Sequence, residues 1–168
     1  MKNKFLLVGI VVIVLAVAGF VVFKELNTPP ENPPAGNLDN FNIIFKYGVG
    51  AKNELNTFNQ TYTKDMVMDP PITINLKLSD SELMGIYQKI NDLKLFDEST
   101  EPEGNIMVTP CSSYYLKVQI NSEQKELSWD DCQGKINEKF QQFSTYIIQI
   151  IESKEEYKKL PTPRGAYI

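Results

Sequence analysis

The sequence predicts an α+β fold: a mostly antiparallel sheet of four to six strands with two amphipathic helices on one face, preceded by one N-terminal transmembrane helix. Three observations carry that expectation. The run Phe5 to Phe23 (FLLVGIVVIVLAVAGFVVF) holds no charge; as a helix rising about 1.5 Å per residue it reaches about 28 Å, the hydrocarbon thickness of a bilayer. Segments with period-two alternation are grouped together and do not interleave one for one with helices. Only two later segments carry apolar residues at helical spacing, too few for a parallel doubly wound sheet.

Lys2 and Lys4 precede the apolar run and Lys24 closes it. The positive-inside tendency keeps the N-terminus cytoplasmic and sends the rest of the chain across the plasma membrane, with Lys24 opposing weakly. The competing reading is a signal peptide cleaved after Ala16-Val17-Ala18. Against it, the apolar character continues through Phe23, and no cysteine follows the small residues to accept a lipid. The expected organisation is a signal anchor over 1–25, a Pro-rich linker over 26–39, an extracytoplasmic domain over 40–158 and an extended tail over 159–168. Two Pro-Pro pairs in Asn27 to Asn37 favour extended polyproline geometry, a semi-rigid spacer.

Charge and composition narrow the chemistry. The 168 residues leave room for one ordinary domain beyond the anchor. Setting aside Lys2, Lys4, Lys24 and Glu25 from the 17 basic and 21 acidic residues leaves 14 and 20, a balance of −6. Nucleic acid and anionic lipid reward clustered Lys and Arg, so no nucleic-acid partner is expected. The chain contains no histidine, which removes Ser-His-Asp and Cys-His catalysis and every His-containing metal site. No cofactor and no metal are expected.

Phe41 to Tyr47 alternates, with Phe41, Ile43, Phe45 and Tyr47 on one face of a strand. Gly48-Val49-Gly50 ends it. A phosphate-cradling loop needs further glycines and an amphipathic helix straight after, whereas Ala51-Lys52-Asn53-Glu54 follows, so a turn or bulge is the expectation. Leu55 to Val67 reads as one or two short strands, and Asp69-Pro70-Pro71 as a break. Ile72 to Leu78 is the cleanest alternation in the chain. Ser79-Asp80-Ser81-Glu82 then matches a capping box and starts a helix, striped by Leu83, Ile86, Tyr87, Ile90 and Leu93. Leu95-Phe96 plugs the core where that helix ends. Asp97 to Asn105 gathers four carboxylates without the ligand spacing of a helix-loop-helix calcium site, the pattern of a solvated loop.

Tyr114 to Ile120 and Glu123 to Trp129 form a hairpin about Asn121-Ser122. In that register partner numbers sum to 243, so Leu116 faces Leu127 and Tyr114 faces Trp129, an aromatic cross-strand pair. Cys111 and Cys132 obey the same sum and meet just beyond the strands. In an exported domain they read as a disulfide, the alternative being two free thiols. Asp130 and Asp131 are adjacent carboxylates beside an aromatic, but consecutive strand residues point to opposite faces and do not converge on one substrate atom. Ile136, Phe140, Phe143, Ile147, Ile150 and Ile151 mark the second helix, running to Glu152 or a turn beyond. The tail from Leu160, with Pro161 and Pro163, is extended, either docked on the domain or free.

The stretches FKYGVGAKNELNTFNQTYTKDM, VTPCSSYYLKV, KELSWDD and IIESKEEYKKLPTPRGAYI resemble an uncharacterised family of exported, membrane-anchored or lipoprotein-like bacterial proteins. That resemblance covers nearly the whole domain and brings no activity with it. The order strands, S-D-S-E-L helix, L-F, hairpin, helix is also similar to the emfourin-type inhibitors of thermolysin-like metalloproteases. It implies a small sheet backed by helices and an inhibitory surface. With no catalytic set in view, the expectation is a non-enzymatic, membrane-tethered binding module whose partner is an envelope protein or a cell-wall component. The candidate binding residues are Tyr47, Gly48, Gly50, Lys52, Tyr62, Trp129 and Asp130, from aromatic or glycine-rich turns. The alternative is a protease inhibitor.

Overall fold

Alternating strands can bury one face only if helices cover it, and that requirement organises the molecule. The computed structural model describes residues 40–101, 104 and 107–168. The expected transmembrane anchor and linker lie outside these. Among the described residues no helix is long and apolar enough to cross a membrane.

The elements run β1 (Phe41–Tyr47), β2 (Asn53–Asn56), β3 (Thr61–Met66), β4 (Asp69–Asn75), α1 (Asp80–Leu93), a 3-10 turn (Leu95–Asp97), β5 (Ser113–Ile120), β6 (Glu123–Asp130), α2 (Glu138–Ser153) and a short α3 (Glu155–Lys158). The six strands form one antiparallel sheet in the order β4-β3-β2-β1-β5-β6. Its centre is β1, the most regularly alternating of the early strands. Phe45 pairs in register with Leu55 on one side and Leu116 on the other, and all three are fully buried. Both long helices cover this same face: Tyr87 of α1 meets Phe41 edge-on at 5.6 Å, and Phe143 of α2 meets Phe45 edge-on at 5.9 Å. The opposite face carries polar pairs, Lys46–Glu54 at 3.1 Å and the Thr63–Thr73 hydroxyls at 2.8 Å.

The expected break at Asp69-Pro70-Pro71 is corrected: these residues begin β4. Proline lacks an amide hydrogen, but β4 is an edge strand, and its ladder shifts register opposite the prolines, between Lys64 and Met66. Edges and bulges are where a strand tolerates proline. The strand expected to reach Leu78 stops at Asn75, opposite Thr61 where β3 begins, and one further bond, from the Leu76 amide to the Gln60 carbonyl at 2.8 Å, closes the pairing. Leu76 and Leu78 are buried all the same. Core contact and strand pairing end at different residues.

The capping box forms as the Ser79–Glu82 spacing dictates: the Glu82 amide donates to Ser79 Oγ at 3.3 Å and the Ser79 amide to Glu82 Oε2 at 2.7 Å. Lys94, in the left-handed region at φ 50°, ends α1, and Leu95 behind it is buried. Asn137 caps α2, its Oδ1 accepting from the Lys139 amide at 2.9 Å. Ser144 is buried within α2 but satisfied, its hydroxyl donating to the Phe140 carbonyl at 2.8 Å.

Candidate functional site

The hairpin β5–β6 sets one end of the sheet. Its register is the one expected, with Tyr114 opposite Trp129 and Leu116 opposite Leu127. Cys111 and Cys132 are joined in a disulfide with Cα atoms 4.9 Å apart. Just inside that bond, Asp131 Oδ1 accepts from the Ser112 amide at 2.6 Å and Asp130 Oδ1 from the Cys132 amide at 2.9 Å. The adjacent carboxylates thus each hold backbone at the strand ends and face different partners. Cys111, Asp131 and Cys132 place ligand-type atoms within 4.8 Å of one another, yet sulfurs bonded to each other are not the thiolates a metal needs. In the Asp97–Asn105 segment, Glu98 is engaged by Lys139 and by the Asn137 amide group, and the Lys139 ammonium holds its carboxyl below the usual range.

Trp129 points to the helix face. Its indole is stacked between Tyr114 (5.4 Å, 3°) and Phe140 (4.8 Å, 20°) and is only 4% exposed. Among the described residues no hydrogen-bond partner reaches the indole N–H. A depression of about 420 Å³ opens beside this end of the sheet. Two alternate register pairs, Tyr115–Ser128 and Ser113–Asp130, on the sheet face opposite the Tyr114 and Trp129 side chains, contribute to its wall. Ala51, Thr100, Glu101 and Gln133 complete it alongside Tyr114 and Trp129. Burial and the neighbouring Glu126 push the Tyr115 phenol up, so it stays a neutral donor and acceptor.

The other candidate residues gather elsewhere. Tyr47 and Tyr62 share a hydroxyl–hydroxyl bond of 2.7 Å, and Tyr62, 1% exposed, lies in the core. Burial pushes both phenols far above their ordinary value, which removes them as bases or nucleophiles at neutral pH. Asn53 joins them: its Oδ1 accepts from the Tyr62 hydroxyl at 3.3 Å and from the Asp65 amide at 3.0 Å, while its Nδ2 donates to the Tyr47 carbonyl at 3.2 Å. Gly48 is required there, because its φ is 90° and a Cβ would lie 2.8 Å from Asn53 Nδ2. The Gly48 carbonyl accepts from Ser113 and Ala51, tying this turn to the hairpin. Gly50 is exposed on the same turn.

Lys52 holds the C-terminal tail. Its ammonium donates to the Tyr167 hydroxyl at 2.8 Å and lies over the Tyr167 ring at 4.7 Å, while Tyr167 donates to Asp65 Oδ2 at 2.5 Å. Arg164 makes a two-pronged contact with Asp69 and bridges in parallel to Val67. Lys64 donates to the Pro161 carbonyl at 3.0 Å. The tail is therefore docked on β3 and β4, a point the sequence left open. Of the candidate surface, the structure brings together Tyr47, Gly48, Lys52 and Tyr62 as the seat of the tail network, with Trp129 and Asp130 at the depression. The sequence reading missed Ser113, Tyr115, Ser128 and Gln133. The hairpin register already placed the first three side by side, and only the return of the chain through Gln133 was hidden.

A scan against protein-family models finds no match for this sequence, and no curated protein aligns with it significantly.

Proposed function

We propose that this chain is a membrane-tethered, extracytoplasmic binding module, non-enzymatic, whose partner belongs to the cell envelope. The observation that carries the reading is the Cys111–Cys132 disulfide, because such bonds persist in oxidising compartments and are reduced in the cytosol. The uncharged run Phe5 to Phe23 with Lys2 and Lys4 before it supports the same address. The resemblance to exported, lipoprotein-like bacterial proteins agrees with it. Support for binding over catalysis comes from the carboxylates Asp130 and Asp131, each committed to a backbone amide.

The test is topological. Cells producing the full chain are fractionated, then treated intact with external protease and with a membrane-impermeant maleimide before and after reductant. The expected result is membrane-bound chain, cleaved from outside, with thiols that react only after reduction. Full-length chain in the soluble cytosol with freely reactive thiols would overturn the proposal.

A second reading, inhibition of an extracellular thermolysin-like protease, rests on the likeness in element order; the strands β1 to β4, α1 with its Ser79 cap, the Leu95-Phe96 turn, the β5–β6 hairpin and α2 run in that sequence. Titrating the chain against a thermolysin-like protease decides it. Unchanged proteolysis removes the idea.

A further inference from the structure

The depression lies at the cystine end of the sheet, walled by residues of the β5–β6 hairpin and its flanking loops. At about 420 Å³ it falls in the range of small-molecule sites, about 300–1,000 Å³. Its wall is chemically mixed. Tyr115 offers an aromatic surface, the Ser113 and Ser128 hydroxyls and the Gln133 amide each donate and accept, and the carboxylates of Asp130 and Glu101 accept only. Among the described residues that line it there is no Lys or Arg. A phosphate or carboxylate ligand would meet two carboxylates with no countercharge, which excludes anionic ligands. A wholly apolar ligand would leave the hydroxyls and carboxylates desolvated and unpaired.

We propose that this depression binds a neutral, hydroxyl-rich glycan. The proposal rests on the binding-module reading and names its ligand class. A sugar ring has an apolar C–H face, matched by the Tyr115 ring, and an edge of hydroxyls that both donate and accept, matched by the serines, Gln133 and the carboxylates. Asp130 keeps Oδ1 on the Cys132 amide, which orients the carboxylate and leaves its other oxygen for a ligand hydroxyl.

Trp129 is the single tryptophan of the chain, and its register pair lies between the two pairs that wall the depression, so its emission reports on this segment of the hairpin. Full-length protein, in a polyoxyethylene detergent because alkyl glycosides would compete, is titrated with tetrasaccharides of N-acetylglucosamine and of glucose. Sedimentation with host cell-wall glycan runs in parallel, and trilysine and inorganic phosphate serve as charged probes. The expected result is saturable binding of a neutral saccharide or of the wall glycan, with a change in Trp129 emission for the soluble saccharide. Tyr115→Ala should weaken binding about tenfold, the loss of one aromatic platform. Ser128→Tyr, which fills the depression from an exposed position, should abolish it with the melting temperature unchanged. No binding of any neutral probe at about 10 mM, beyond the range of weak specific affinities, would overturn the proposal, as would preferential binding of trilysine or phosphate, or binding indifferent to both substitutions. Failure here leaves the fractionation and protease result standing. Failure of that result leaves the saccharide titration intact.

Discussion

Glu82 shows how one side chain serves two levels of structure. It completes the cap of α1 with Ser79 and also meets Lys154 at the end of α2, 2.5 Å away, although the two residues are far apart in sequence. Partial burial alone would raise its pKa; the Lys154 ammonium and the Ser79 amide and hydroxyl outweigh that and hold the carboxyl below its ordinary 4.5. A carboxyl lowered in the folded state contributes stability above its unfolded value and loses it as pH falls through the folded one. Glu82→Gln should therefore cost about 1 kcal/mol at pH 7, with the gap to wild type closing below pH 4.5. Denaturant melts of both proteins at several pH values check it; a gap that does not narrow in acid would show that only the cap geometry matters. The cap was readable from Ser79-Asp80-Ser81-Glu82, since its residues are neighbours. The Lys154 contact was not.

At the scale of elements, the hairpin and the tail behave oppositely. The β5–β6 register follows from a two-residue turn plus an apolar face, both local, so the position of the disulfide was legible. Closing a loop with a sequence separation of 21 stabilises by about 3 kcal/mol in the chain-entropy model. Cys132→Ser should lower the melting temperature accordingly, and reductant should reproduce the shift in the parent but leave the variant untouched. The tail is the contrary case. Nothing in Leu160 to Ile168 announces that Arg164 will find Asp69 or Tyr167 find Asp65, because those partners sit 95 and 102 residues away. Gly165 has φ 79° and would place a Cβ 2.6 Å from Met68 Sδ. Gly165→Val should undock the tail, leaving global stability nearly unchanged while speeding amide exchange along β3 and β4. Hydrogen exchange read by mass spectrometry measures this, and unaltered exchange would mean the strands do not depend on the tail.

For the whole molecule, Asn37–Ile168 forms one compact unit, with its core built from β1, β2, β3, β5, β6, α1 and α2. A chain beginning at Asn37 should therefore fold without the apolar run and melt in a single transition within about 2 °C of the full chain, a difference well under 1 kcal/mol. Circular dichroism decides it, and a non-cooperative melt would show that the preceding residues belong to the fold. By itself the sequence determined the α+β class, the faces of β1, the cap of α1, the stripe of α2 and the cysteine pairing, because each depends on residues a few positions apart or on one turn. Only the tertiary structure decided that Pro70 and Pro71 lie in an edge strand, that Tyr62 and Trp129 are buried, that the tail is docked, and that Ser113, Tyr115, Ser128 and Gln133 wall one depression. Those outcomes depend on which strand ends at an edge and which distant side chains meet. Long-range packing sets both, and no local pattern encodes it.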